Sequence, residues 1–166
     1  MSQSAMGIDI TLVSTDQQMP LGFIYVDPAS ANQAIGSQGR KEYIYVKASE
    51  NIGIYDVCVR LSGTPNYGDP STLGTGIAQS NSGEALKRVV GVAIKAIPAN
   101  SYGFIQRKGI GWVVSHAAFA VDGGLIPQAA GRADDNAGIT DVSFGIALAP
   151  AGAAGIVIPA YLDCEG

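Results

Sequence analysis

Charge is scarce in this chain: Lys, Arg, Asp and Glu together supply 14% of 166 residues, where about a quarter is usual. Less of the surface can then be clothed in solvated charge, and a mildly apolar chain of this kind favours assembly over free life in solution. The ten basic residues are dispersed and the formal net charge is −4. The densest basic pairs are Arg40-Lys41, Lys87-Arg88 and Arg107-Lys108, so direct nucleic-acid binding is not expected. Cys58 and Cys164 are the only cysteines and lie far from any metal-ligand spacing. They read as two separate thiols, with a disulfide between them as the alternative.

Long apolar runs are also missing. The stretch 144–160 is broken by Gly145, Pro150, Gly152, Gly155 and Pro159, which is too much punctuation for a membrane helix, and no membrane partner is expected. The first residues, Met1-Ser2-Gln3-Ser4-Ala5, have neither the positive region nor the apolar core of an export signal, and the expectation is a protein made and used, or assembled, inside a cell.

Catalytic signals are equally thin. His116 is the single histidine, and a serine-histidine-acid triad would have to use it. Ser115 beside it cannot face it, because neighbours on a strand point to opposite sides. Ser14, Ser101 or Ser143 with Asp122 or Asp141 complete no recognisable pattern, and no glycine-x-serine-x-glycine elbow occurs. A hydrolase built on His116 is the weakest of the readings. Residues 134–141 place oxygen ligands at 134, 136 and 140, but Gly138 falls at the fifth position of an EF-hand loop and Gly145 stands where a bidentate glutamate belongs. A different calcium loop or a solvated turn stays open there. Gly74-Thr75-Gly76 and Gly109-Ile110-Gly111 lack the third glycine, the helix and the lysine of a phosphate cradle. No catalytic residue, cofactor or metal is therefore assigned, and the chain is expected not to be an enzyme.

What the chain does have is glycine, 22 residues, scattered among short β-branched and aromatic runs. Glycine costs about 1 kcal/mol in a helix interior, so this spacing predicts an all-β fold: a short-stranded β-barrel or β-sandwich with glycine-rich turns and little helix. Strands are expected at 8–13, 21–26, 42–47, 54–61, 90–94, 103–105, 110–114, 125–128, 144–148 and after 155. Residues 106–109 read as a rim and 131–138 as a polar loop. Organisation follows: a flexible arm over 1–7, a strand-rich part over 8–61, a loop or linker over 62–75, and a barrel or sandwich core over 76–163. Val90-Gly91-Val92-Ala93-Ile94 and Phe144-Gly145-Ile146-Ala147-Leu148 look like two copies of one hairpin-like unit, each followed by a proline-containing turn and a glycine, Gly103 or Gly155.

Seven tyrosines against four phenylalanines and one tryptophan form an amphipathic aromatic set of the kind enriched at interfaces. Tyr43, Tyr45, Tyr102 and Trp112 are candidate interface residues, with half-buried sheet as the alternative. An exposed Trp112 or tyrosine pair over a groove would suit a glycan-binding module.

The segments Val90-Gly91-Val92-Ala93, Gly103-Phe104-Ile105-Gln106 and Gly109-Ile110-Gly111-Trp112-Val113 resemble a module of the capsid decoration, or cement, proteins of tailed double-stranded DNA bacteriophages. Phe144-Gly145-Ile146-Ala147 fits the way such proteins end, and residues 40–48 look like the early strand of some of them. The resemblance spans roughly 40–60 and 88–160. It implies a homotrimer on the outer surface of the virion capsid, made in the host cytoplasm, bound to the major capsid protein at capsomer junctions and holding the shell against DNA pressure. On this reading Met1, Ser2, Gln3, Ser4, Ala5 and Met6 form a clamp that orders on binding. The alternatives within the same class are a head-fibre base, a tail part or a minor shell protein.

Overall fold

The computed structural model describes residues 7–27, 40–60, 77–79, 89–135 and 143–164; the expected clamp 1–6, the linker 62–75 and residues 136–141 of the acidic loop lie outside them. Ten strands form the frame: β1 (Ile24–Val26), β2 (Glu42–Lys47), β3 (Val57–Arg60), β4 (Ile77–Gln79), β5 (Val89–Ala93), β6 (Tyr102–Val114), β7 (Gly124–Gln128), β8 (Arg132–Asp135), β9 (Gly145–Ala147) and β10 (Val157–Asp163). One 3-10 turn, Ala129–Gly131, links β7 to β8, and no α-helix occurs among the described residues. The fold is all-β, as the glycine spacing predicts. Its strands make a single antiparallel sheet, ordered β4-β3-β5-β6-β10-β9-β7-β8 with β2 and then β1 branching from β6, and the sheet does not close into a barrel.

The thirteen-residue β6 is the spine. Gln106 pairs with Tyr43 of β2 and Val92 of β5, while Lys108 pairs with Glu42 of β2 and Asp163 of β10. One residue has two edges, so β2 holds one edge of β6 while β5 and β10 share the other, end to end. Where they meet, the register with β2 shifts and Gly109 adopts φ +86°, a backbone that side chains disfavour. The buried Gln106 amide donates to the carbonyls of Lys108 and Ile110, both at 3.0 Å. Residues 106–109, expected as a rim, therefore lie inside the strand, because a bulge absorbs the irregularity.

Other boundaries differ from expectation for local reasons. Residues 8–13 form no strand: the Asp9 carboxylate accepts from the Thr11 N–H (2.8 Å) and hydroxyl (2.7 Å), and the Leu12 N–H reaches the Asp9 carbonyl, an Asx turn that competes with a ladder. Residues 21–22 turn before β1 begins at Ile24. Tyr55, at φ +68°, delays β3 to Val57. Residues 132–135 are strand β8, not loop, with Arg132 opposite Gln128 and Asp135 opposite Leu125.

The sheet is an internal repeat. β2 to the first half of β6 matches the second half of β6 to β10. In the first repeat Val46 opposes Gly103 and Ile44 opposes Ile105; in the second Val113 opposes Ile158 and Gly111 opposes Ala160. Cys58 opposes Gly91 as Leu125 opposes Gly145, and Ala93 opposes Ile105 as Ala147 opposes Ala160. The links repeat too. Ile52 and Ile97 exchange N–H···O bonds of 2.9 and 3.0 Å, as do Phe119 and Ala151. Tyr55 and Asp122 both have left-handed backbones and donate to the Ala93 and Ala147 carbonyls. The expected likeness of 90–94 and 144–148 is real, whereas Gly103 corresponds to Ile158, not to Gly155.

Alternation along the strands sorts side chains into matching cores. Ile44, Val46, Ile52, Cys58, Val90, Ala93, Ile97 and Ile105 pack together on the inner face of the first repeat. Their counterparts Val113, Phe119, Leu125, Phe144, Ala147, Ala151 and Ala160 pack on the inner face of the second. The second core also takes in Val57, Val59 and Val92, which belong to the outer face of β3 and β5. One repeat thus stacks on the other.

Candidate interaction surface

The outer face of the first repeat is covered over most of its described residues. Val57, Val59 and Val92 lie under the second repeat. Tyr43 and Tyr45 of β2 and Phe104 of β6 lie under the segment before β2, where Ile8, Ile10, Met19, Leu21 and Phe23 pack beside the buried Tyr25. Tyr45 meets Phe104 at a ring-centroid distance of 5.1 Å and Tyr102 at 6.2 Å, and Tyr25 stacks on Tyr43 at 6.5 Å. The Tyr45 hydroxyl accepts the Gln18 N–H at 3.0 Å. Burial, with smaller contributions from Asp27 and Tyr25, raises the Tyr43 phenol to about 12.

Over β6, β9 and β10 the same face of the second repeat has no cover among the described residues, while Ile126 on the same side of β7 is buried. With Val113, Ala160, Leu162 and Ala147 turned inward, alternation points Ile110, Trp112 and Val114 of β6, Val157, Pro159 and Tyr161 of β10 and Ile146 of β9 outward. Trp112 lies opposite Pro159, and Tyr161 lies between Ile110 and Ile146. Trp112 is 49% exposed, Ile146 and Val157 44%, and Tyr161 40%. No charged side chain stands among these seven; at the border Lys108 and Asp163 pair at 3.1 Å. A contiguous apolar face of this kind marks a surface made to be covered.

The sequence candidates therefore separate. Tyr43 and Tyr45 spend their ring area inside the chain, and Tyr102 is half-buried with the Lys47 ammonium 5.6 Å from its ring centroid. Trp112 stands on the bare face. Met1 to Met6 lie outside the described residues. Sequence reasoning passed over Ile146, Val157, Pro159 and Tyr161; for the last three the signal was the alternation of 157–162, hidden because both alternating sets are apolar.

The other sequence candidates that lie among the described residues are placed as follows. The Ser115 hydroxyl is engaged with the main chain, donating to the Ala153 carbonyl at 2.6 Å and accepting from the Ile156 N–H at 3.0 Å, and His116 is exposed. Cys58 and Cys164 are buried free thiols. Among the described residues no three His, Cys, Asp or Glu side chains are placed to hold a metal ion. A groove of about 550 Å³ runs between residues 7–11 and Tyr25 and Asp27; at its rim the Thr11 hydroxyl, then the Thr11 N–H, lowers the pKa of the Asp9 carboxyl.

Among solved structures, the fold is similar to that in the crystal structure of the head fiber gp8.5 N base in bacteriophage phi29, with a TM-score of 0.54 and 16% identity over 74% of this chain and 94% of that one. At that identity the likeness is one of fold. No protein-family model matches the sequence, and no curated protein matches it.

Proposed function

We propose that this chain is a structural protein of a bacteriophage virion, attached to the outside of the head through the major capsid protein and acting as a homotrimer rather than as an enzyme. The observation that carries the reading is the fold shared with the phi29 head-fiber base over 94% of that chain. The low charge and the bare apolar face of β6, β9 and β10 support it, since both suit a subunit that lives in an assembly.

In the first form of the proposal the protein is a cement. A subunit that binds only the assembled shell stabilises that state by linkage, and several contacts from one oligomer add through multivalency. Clamping neighbouring capsomers then offsets the outward push of packaged DNA. The second form is a base that anchors a fibre. It is favoured by the structural neighbour, itself the base of a head fiber, and needs shell binding without shell stabilisation.

Purified protein added to heads that lack it separates these forms. Co-sedimentation with heads, together with a rise in the temperature at which DNA escapes, supports the cement. Co-sedimentation at an unchanged release temperature supports the fibre base. Absence of binding to the heads and tails of the parent phage overturns the virion reading.

A further inference from the structure

We infer that the bare outer face of the second repeat, centred on Trp112 and Tyr161, is where a second copy of this chain docks. The inference rests on the oligomeric part of the reading above and names the surface that makes the oligomer. Its ground is the internal repeat. In the first repeat, the half of the outer face formed by β3 and β5 is covered by another unit of the same fold, the second repeat itself. The half formed by β2 and β6 is covered by the chain's own segment 8–25. The chain thus covers such faces with its own kind. In the second repeat β6, β9 and β10 carry equally apolar side chains that stay exposed, Trp112 at 49%, Ile146 at 44% and Tyr161 at 40%, while Ile126 of β7 on the same side is buried.

Charge and composition select the occupant. Ile110, Trp112, Ile146, Val157, Pro159 and Tyr161 carry no charge, so two or three copies can bring this face together without like-charge repulsion. A wholly apolar patch with tryptophan and tyrosine at its centre is the composition of permanent homo-oligomer interfaces. Interfaces with transient partners are no more apolar than the surface at large. A protein that meets a shell after folding alone would expose this face in the meantime; copies that associate as they fold would not.

Trp112 is the only tryptophan, so intrinsic fluorescence reports on the face directly. Light scattering behind a sizing column and acrylamide quenching are measured across a hundredfold dilution on the full chain, on Tyr161→Asp and Val157→Asp, and on Leu12→Asp, an exposed site in the segment that packs on the first repeat. The expected result is an integral multiple of 17.0 kDa with shielded, blue-shifted Trp112. Both face variants should drop to the monomer mass, with quenching raised several-fold and far-ultraviolet circular dichroism unchanged, while Leu12→Asp behaves as the parent. An oligomer whose mass and quenching ignore the face variants overturns the face but keeps the oligomer. A parental monomer with freely quenched Trp112 overturns both. Should the variants misfold, the dilution series on the parent decides alone: dissociation without a change in quenching rules the face out. None of these readings requires a capsid, so they are independent of the shell-binding result.

Discussion

Gly91 and Gly145 hold the same place in the two repeats, and at each the space a Cβ would take is filled by a carbonyl of the neighbouring strand, that of Gln106 in the first and of Tyr161 in the second. A Cβ on Gly91 would sit 2.5 Å from the Gln106 oxygen, and backbone atoms cannot step aside as a flexible side chain can. Gly91→Ala and Gly145→Ala should each lower stability by about 1–3 kcal/mol through overpacking. Gly152→Ala, where nothing lies within 4 Å, should change it little. Urea midpoints of the three variants check this; a cost at Gly152 equal to the others would sink the close approach as the cause, since removing glycine flexibility from the unfolded chain should stabilise, not destabilise.

The Gln106 side chain straps the bulge of β6 by donating to Lys108 and Ile110. Gln106→Leu keeps the bulk and removes both bonds, leaving two partly buried carbonyls without this donor. The expected loss is about 1–3 kcal/mol, with faster amide exchange around Gly109 than in β3. Unchanged exchange at the bulge would mean that the Gly109 backbone holds the bend without the strap.

Both thiols resist ionisation. Burial pushes Cys164 up to about 12 against the opposing pull of Arg107, and burial with the nearby Asp56 holds Cys58 well above its ordinary value of 9.0. Above pH 9 the unfolded chain releases thiol protons that the folded chain retains. The stabilising contribution is therefore whole below pH 9 and is lost progressively as pH rises toward 12, by up to about 1.4 kcal/mol per pH unit for each thiol. Urea midpoints at pH 8, 9 and 10 should fall at the last step, and a Cys58→Ala, Cys164→Ala double variant should flatten that fall. In the native protein at pH 8 neither thiol should react with a disulfide reagent until the chain unfolds.

Much of the fold could be read from residue order. Glu42 to Lys47 predicts a strand with tyrosines on one face and aliphatics on the other, and β2 sends Tyr43 and Tyr45 to one core and Ile44 and Val46 to another. The repeat was visible only at 90–94 and 144–148. Elsewhere its two copies share positions but not residues: Ile44 matches Gly111, and Cys58 matches Leu125. Backbone geometry repeats without side-chain identity because a ladder needs only alternation and room. The site was legible in type, an aromatic sheet face, and misallocated in place, because nothing local tells Tyr45 that residues 8–25 will fold over it and tells Trp112 that they will not.

Tyr45 and Trp112 occupy matching ladder positions, opposite Phe104 and Pro159, and their surroundings set opposite consequences for the same truncation. Tyr45 is 2% exposed, with its ring against Phe104 and Tyr102 and its hydroxyl bonded to Gln18. Tyr45→Ala should cost about 3–5 kcal/mol, as large aromatic truncations in cores do, at every protein concentration. Trp112→Ala removes a ring that is half in solvent within one chain. At concentrations where copies are dissociated it should cost about 1 kcal/mol or less. At higher concentration the parent gains stability by mass action and the variant should not. Thermal unfolding followed by circular dichroism across a hundredfold dilution reads both. Tyr45→Ala should shift the whole curve downward and keep its concentration dependence, while Trp112→Ala should match the dilute parent and lose that dependence. Equal, concentration-independent losses at the two positions would mean that Trp112 is as much a core residue of the single chain as Tyr45.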